Sequence, residues 1–210
     1  MKFDLFKKII DEAKIYKLPA VNLNGLGEPI THPKLVDMIK YCSDSNIEDI
    51  MFHTNGTVMT EKLAKKLIEA GLTQIIFSLD TTDKKTYEEM RIGANFEEVN
   101  ANVERFIKVR NNMGRKLPIV KTVMVLTDKT VHHAETFKKK WEKTSDSIAA
   151  QDLVYSFEDE ENYEKSNDLD SVTSSMKGLN WKSGENSYYK IVITYRNEIA
   201  NSNRMLYINI

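Results

Sequence analysis

The 210 residues carry a formal net charge of -1, with 29% charged and 41% hydrophobic side chains, a length and composition that suit one soluble domain, or one with a small appendage. Such a balance sets up no global field toward nucleic acid or an anionic membrane, and the basic residues are scattered over helix faces instead of gathered in a stripe. No apolar run approaches the ~18 residues that span a bilayer, and the single cysteine, Cys42, excludes an intrachain disulfide and fits a reducing, cytoplasmic compartment.

Phe3, Phe6, Ile9, Ile10 and Ala13 recur at helical spacing, so residues 3–16 are expected to form an amphipathic first helix. Lys17 to Pro19 turns the chain into a strand ending in Val21-Asn-Leu-Asn-Gly25-Leu-Gly27-Glu28-Pro29. Glycines in such a loop let backbone amides approach a ligand closely, and Pro29 ends the strand because it lacks an N–H and restricts Glu28. A carboxylate on that stiff turn suits a ligand ammonium or a metal; the plainer reading is a βα loop with a solvated glutamate. Thr31, His32 and Pro33 are expected to open a second helix with Pro33 near its first position. Leu35, Met38, Ile39 and Cys42 form its apolar face, which makes Cys42 a packing residue.

A second strand is expected at 48–53, ending in the turn Thr54-Asn55-Gly56, followed by a helix capped by Thr60 and closed by Gly71. Gln74 to Leu79 reads as a third strand with Asp80 at its end. Helices near 83–90 and 95–112 flank Arg91-Ile92-Gly93. A longer strand is expected over Leu117 to Leu126, a helix over His132 to Lys143, and a short strand over Ser147 to Gln151. This alternation implies parallel strands covered by helices. The lack of a G-x-G-x-x-G after the first strand weakens a dinucleotide-binding open sheet. Polar residues collect after each strand, the end at which barrel enzymes place their sites, which favours a barrel.

Residues 155–187 read as a polar linker and 188–210 as a strand pair, Tyr188 to Tyr195 with Met205 to Ile210. If neighbouring strands lie side by side, Glu28, His53 and Asp80 could converge on one metal ion, as in a metal-dependent hydrolase or epimerase. The plainer reading of His53 is a packed or hydrogen-bonded strand-end residue. His132 and His133 occupy adjacent helical positions and cannot share a face, which argues against a metal role, and Ser78 has no evident base partner.

The segments GLGEP (Gly25 to Pro29), HTNGTVMT (His53 to Thr60), FSLD (Phe77 to Asp80) and TYEEMRIGANFEEV (Thr86 to Val99) together resemble a radical S-adenosylmethionine (radical SAM) enzyme of the SPASM-domain subgroup, over roughly residues 1–152. The resemblance implies an α/β fold, a partial parallel (β/α) TIM-like barrel over 1–154 with a small C-terminal appendage. It also implies S-adenosylmethionine (SAM) and a [4Fe-4S] cluster as cofactors, and radical modification of a peptide or small-molecule substrate. Carried over, Gly25, Gly27 and Glu28 line the pocket for the methionyl ammonium, with Asn55 beside them. Ser78 and Asp80 face the ribose or carboxylate, and Arg91 pairs with the cofactor carboxylate, a role its guanidinium fork suits.

The cluster of that family is held by three cysteines spaced C-x3-C-x2-C after the first barrel strand. Here the sequence starts at what resembles the following helix, and one thiolate cannot hold a cluster. The tail resembles a degenerate SPASM strand pair, with Gly184, Ser202 and Asn203 where thiols would stand. Either a fragment of a longer enzyme or a descendant without the chemistry fits this pattern, and a chain without the reaction would serve as a cluster-free binding or scaffold protein. The sheet edge left bare by a missing first strand would be sticky unless the tail or another chain covers it, so a partner strand or a dimer is expected.

Overall fold

The computed structural model describes residues 1–24, 27–152, 205–208 and 210. Helix α1 (Phe3–Ile15) precedes β1 (Ala20–Asn22), and α2 (Leu35–Asp44) precedes β2 (Asp49–Thr54). Helix α3 (Glu61–Glu69) leads to β3 (Gln74–Ser78), and α4 (Lys84–Met90) with α5 (Phe96–Asn112) leads to β4 (Ile119–Leu126). Helix α6 (Ala134–Trp141), β5 (Ser147–Asp152) and β6 (Met205–Tyr207) complete the described elements. All strand pairs are parallel, in the order β5-β4-β3-β2-β1-β6. The expected parallel α/β architecture is therefore present, with every βα loop at one end of the sheet.

Local chemistry explains most boundaries. Thr60 Oγ1 accepts from Leu63 N at 3.1 Å, Asp83 from Thr86 N at 2.8 Å and Asn95 from Glu98 N at 2.9 Å, so α3, α4 and α5 each begin at a side-chain cap. Gly71 ends α3 at φ +94°, and a Cβ there would stand 2.4 Å from Ser43 Oγ, so both backbone conformation and space demand glycine. The start of α2 differs from expectation: Pro29–Thr31 form a short 3-10 turn, Pro33 lies in the turn after it, and the helix starts only at Leu35. The cause is Glu28, whose backbone and side-chain oxygens hold that turn.

Alternation along the strands divides the sheet into two faces. Ile50, Phe52, Ile75, Phe77, Val120 and Met124 join the helices in the large core with Leu35, Met38, Ile39, Val103 and Phe106. On the other, concave face Met51, Ile76 and Val123 form a small apolar floor. His53, Ser78 and Lys121 share that face by register and alternation. Cys42 is fully buried in the large core, and burial pushes its thiol up to about 12, as a packing residue should be.

The strand expected at Met205–Ile210 is present as β6, but it lies parallel to β1, with Ala20 opposite Met205 and Asn22 opposite Tyr207. The edge of β1, for which a partner strand or a second copy was expected, is thus covered by the chain's own C-terminal strand. The polar linker at 155–187 and the strand expected at 188–195 lie outside the described residues.

Candidate functional site

The C-terminal ends of β1, β2 and β3 bring Glu28, Asn55, Ser78, Asp80 and Arg91 to one rim of the sheet; Gly25 lies outside the described residues. Gly27 is exposed, and nothing stands within 4 Å of where its Cβ would be, so the backbone there is open to close approach.

Glu28 ties loops together. Its Oε1 accepts from Thr54 Oγ1 at 2.6 Å and from Ile30 N at 3.3 Å, and its Oε2 accepts from Asn55 N at 2.7 Å. Short hydrogen bonds to a carboxylate are among the stronger ones in proteins. The glutamate thus joins the loop after β1 to the loop after β2 and is not a free, solvated group. Thr54 relays the tie by accepting from Gly56 N at 3.0 Å, and Asn55 closes its own turn by accepting from Thr57 N at 2.9 Å. Gly56 sits at φ +73° with its Cβ position 3.2 Å from Phe77, so a side chain would strain the turn and press on the core. From the other side, Asn102 Nδ2 of α5 donates to Gly56 O at 2.8 Å.

Asp80 is the strained point of the rim. It stands at φ +57°, and Thr81 N donates to Leu79 O at 2.6 Å across it, which closes the rarer, strained form of three-residue turn. A non-glycine residue in that region costs on the order of 1–3 kcal/mol and persists only where its surroundings over-determine it. They do so here. Leu79 N donates to Val123 O at 2.8 Å, and the Thr81 hydroxyl is 2.7 Å from His133 Nδ1 while accepting from Asp83 N at 3.1 Å. The Asp80 side chain is 4% exposed, and its Oδ2 receives both Nε and Nη2 of Arg91 at 2.6 Å. Its Oδ1 is buried with no hydrogen-bond partner among the described residues, as is the Tyr87 hydroxyl on α4. Burial raises the Tyr87 phenol, and the charges of Arg91 and Asp80 both reach it.

Arg91 is a third exposed. Nε and Nη2 face Asp80, which leaves Nη1 without a partner among the described residues, and the charge of Glu28 also acts on the guanidinium. Ser78 is half-buried on the concave face, and its hydroxyl has no hydrogen-bond partner among the described residues. The rim therefore offers an anion-binding arginine edge, a free hydroxyl and an open glycine.

Glu28, His53 and Asp80 do not form a metal centre. The two carboxylates are spent on Thr54, Asn55 and Arg91. His53 is held neutral, its imidazole pushed down to about 4 by burial and by Lys121. Among the described residues no group of three or more His, Cys, Asp or Glu side chains could hold a metal ion. His132 is exposed, while His133 supports Thr81.

Sequence reasoning missed Thr54, Thr81, Tyr87, Asn102 and His133 as supports of the rim. Only Asn102 carried a readable signal, a polar residue on the same helical stripe as the buried Val99, Val103 and Phe106.

A family model described as the radical SAM superfamily matches residues 1–139. The chain belongs to the radical SAM superfamily. It is 35% identical over 109 residues to a probable GTP 3′,8-cyclase of Methanococcus maripaludis, covering 52% of this chain and 36% of that protein. It is 30% identical over 129 residues to the tungsten-containing aldehyde ferredoxin oxidoreductase cofactor-modifying protein of Pyrococcus furiosus, covering 60% and 36%. To the AdoMet-dependent heme synthase of Methanosarcina barkeri it is 31% identical over 102 residues, covering 48% and 29%. The match thus spans about a third of the length of these relatives. Streptococcus suis SuiB, in a structure bound to S-adenosylmethionine, superposes with a TM-score of 0.61 at 18% identity, covering 98% of this chain and 42% of that one. HydG, a maturase of the [FeFe]-hydrogenase, superposes with a TM-score of 0.52 at 14% identity, covering 75% and 37%. Both likenesses concern the fold, which is a partial barrel of the radical SAM type.

Membership implies SAM and a [4Fe-4S] cluster. The methionyl and ribosyl groups of SAM suit what the rim presents, namely the outer edge of Arg91, the Ser78 hydroxyl and the open backbone at Gly27. The cluster does not fit these residues. They include one cysteine, and it is sealed in the core on the buried face of α2.

Proposed function

We propose that this chain is the SAM-holding part of a radical SAM barrel, and that by itself it does not cleave the cofactor. The observation that carries the reading is the Asp80–Arg91 pair at the end of β3, buried on the Asp80 side and open on the outer edge of Arg91. An arginine held in this way is preorganised to receive a carboxylate. Glu28 fixes the neighbouring loops, so that Gly27 and Asn55 form a stiff wall beside it. Reductive cleavage in this family depends on iron held by several thiolates, and a lone buried thiol cannot supply them.

The related proteins are named for GTP cyclisation, heme synthesis and cofactor modification, which favours a small molecule over a peptide as the substrate of the whole machinery. A reducing cytoplasm suits a chain with one free cysteine, and no helix among the described residues is long and apolar enough to cross a membrane. Anaerobic reconstitution with iron and sulfide, followed by SAM and dithionite, tests the inactivity directly. The expected result is no stoichiometric cluster and no 5′-deoxyadenosine. A chain that holds about four irons and releases 5′-deoxyadenosine would overturn it.

A further inference from the structure

We propose that Asp80 acts through Arg91 as a positioning residue and does not itself touch the ligand, which departs from the direct ribose or carboxylate contact its place in the FSLD segment implies. The proposal rests on the SAM-binding reading of the rim. Its ground is geometric. The Asp80 carboxylate is 4% exposed while Arg91 is 33% exposed, so the acid lies behind the base as seen from the rim. Both Nε and Nη2 of Arg91 converge on the single oxygen Oδ2 at 2.6 Å, which orients the guanidinium and leaves Nη1 without a partner among the described residues. The other oxygen, Oδ1, is buried without a partner among the described residues, so neither carboxylate oxygen is presented at the surface.

The backbone supports the same role. Asp80 is at φ +57° inside a turn closed by Thr81 N to Leu79 O at 2.6 Å. This turn is pinned to the neighbouring βα loop through Thr81 and His133. Strain of this kind, held in place from two elements and combined with a buried, half-satisfied carboxylate, serves no packing purpose that an asparagine or glycine would not serve better. What only the aspartate provides is a fixed negative charge behind Arg91. Tyr87 on α4 is buried, its hydroxyl has no hydrogen-bond partner among the described residues, and the charges of Arg91 and Asp80 both reach it.

The test compares SAM with 5′-methylthioadenosine, which lacks the carboxylate Arg91 would receive, in titrations of the wild type and of Asp80→Asn. Asparagine tolerates the positive φ, and thermal melting shows whether the variant folds. The expected result is a roughly tenfold loss of SAM affinity with 5′-methylthioadenosine binding unchanged, together with loss of the protected Arg91 Nε–H signal in nitrogen-15 spectra of the ligand-free protein. An equal loss for both ligands, or no loss for either, would overturn the proposal. If the wild type binds neither ligand, the SAM-binding reading falls, and a protected Arg91 Nε–H that Asp80→Asn abolishes would still show that Asp80 holds Arg91.

Discussion

Replacing Glu28 with alanine separates a loop tie from a ligand contact. The carboxylate receives three hydrogen bonds, from Thr54 Oγ1 at 2.6 Å, Asn55 N at 2.7 Å and Ile30 N at 3.3 Å. Hydrogen bonds to a charged group contribute about 1.5–3 kcal/mol each, and since this carboxylate is only half-buried the two short ones sit at the lower end. The longer one adds little. Glu28→Ala is therefore expected to cost roughly 3 kcal/mol of unfolding free energy, and Glu28→Gln about 1–2 kcal/mol, because the amide keeps one acceptor but meets the Asn55 N–H with a donor on its other side. Urea denaturation measures the cost. Amide exchange locates it, since the Asn55 amide loses its acceptor and its protection should fall by about two decades. Unchanged stability together with an unchanged Asn55 amide in Glu28→Ala would refute the tie and return Glu28 to the role of a ligand group.

Arg110 on α5 is 6% exposed, donates to Pro118 O at 2.9 Å and pairs with Asp146, whose carboxylate also receives Val120 N at 2.7 Å. Arg110→Ala removes the buried guanidinium's bonds to Pro118 O and to Asp146, whose carboxylate is a third exposed and keeps Val120 N, and should lower stability by roughly 2 kcal/mol in chemical denaturation, whereas a loss below about 0.5 kcal/mol would contradict the structure. His53, held at about 4 in the folded chain against an ordinary value of 6.5, binds its proton more readily when unfolded between those limits. Its contribution is therefore fully present above pH 6.5 and lost as pH falls toward 4, up to about 3 kcal/mol in all. Denaturation of the wild type and His53→Gln at pH 7 and pH 4.5 should show a smaller pH effect in the variant, and equal pH effects in the two would count against a buried, neutral imidazole.

Much of this fold could be read from local chemistry. The stripe Leu35, Met38, Ile39 and Cys42 is buried, Thr60 caps α3 and Gly71 ends it. Apolar runs marked the strands because each packs helices on its outer face. The family resemblance brought Glu28, Asn55, Ser78, Asp80 and Arg91 forward before any geometry was known, and they do share one rim. What stayed hidden was partnership across distance. Glu28 meets Thr54 and Asn55 26 and 27 positions away, and Thr81 meets His133 52 positions away. Such pairs depend on strand register and sheet curvature, which periodicity does not encode. The same limit explains why Glu28, His53 and Asp80 looked able to converge. Each stands near a strand end, yet alternation and prior hydrogen bonds send their groups elsewhere. The placement of β6 beside β1 was legible only as one option, the tail covering a bare edge, because a short MLYINI segment fits a local strand pair as well as a distant sheet edge.

The most direct measurement of the central claim is residue-resolved NMR titration of the purified chain with SAM. Saturable shift changes are expected to be confined to the rim, at Gly27, Asn55, Ser78 and the Arg91 side chain, with the outer helical faces of α2 and α3 unmoved. Saturable changes on those helices, or none at all up to millimolar SAM while the protein is folded, would contradict that claim.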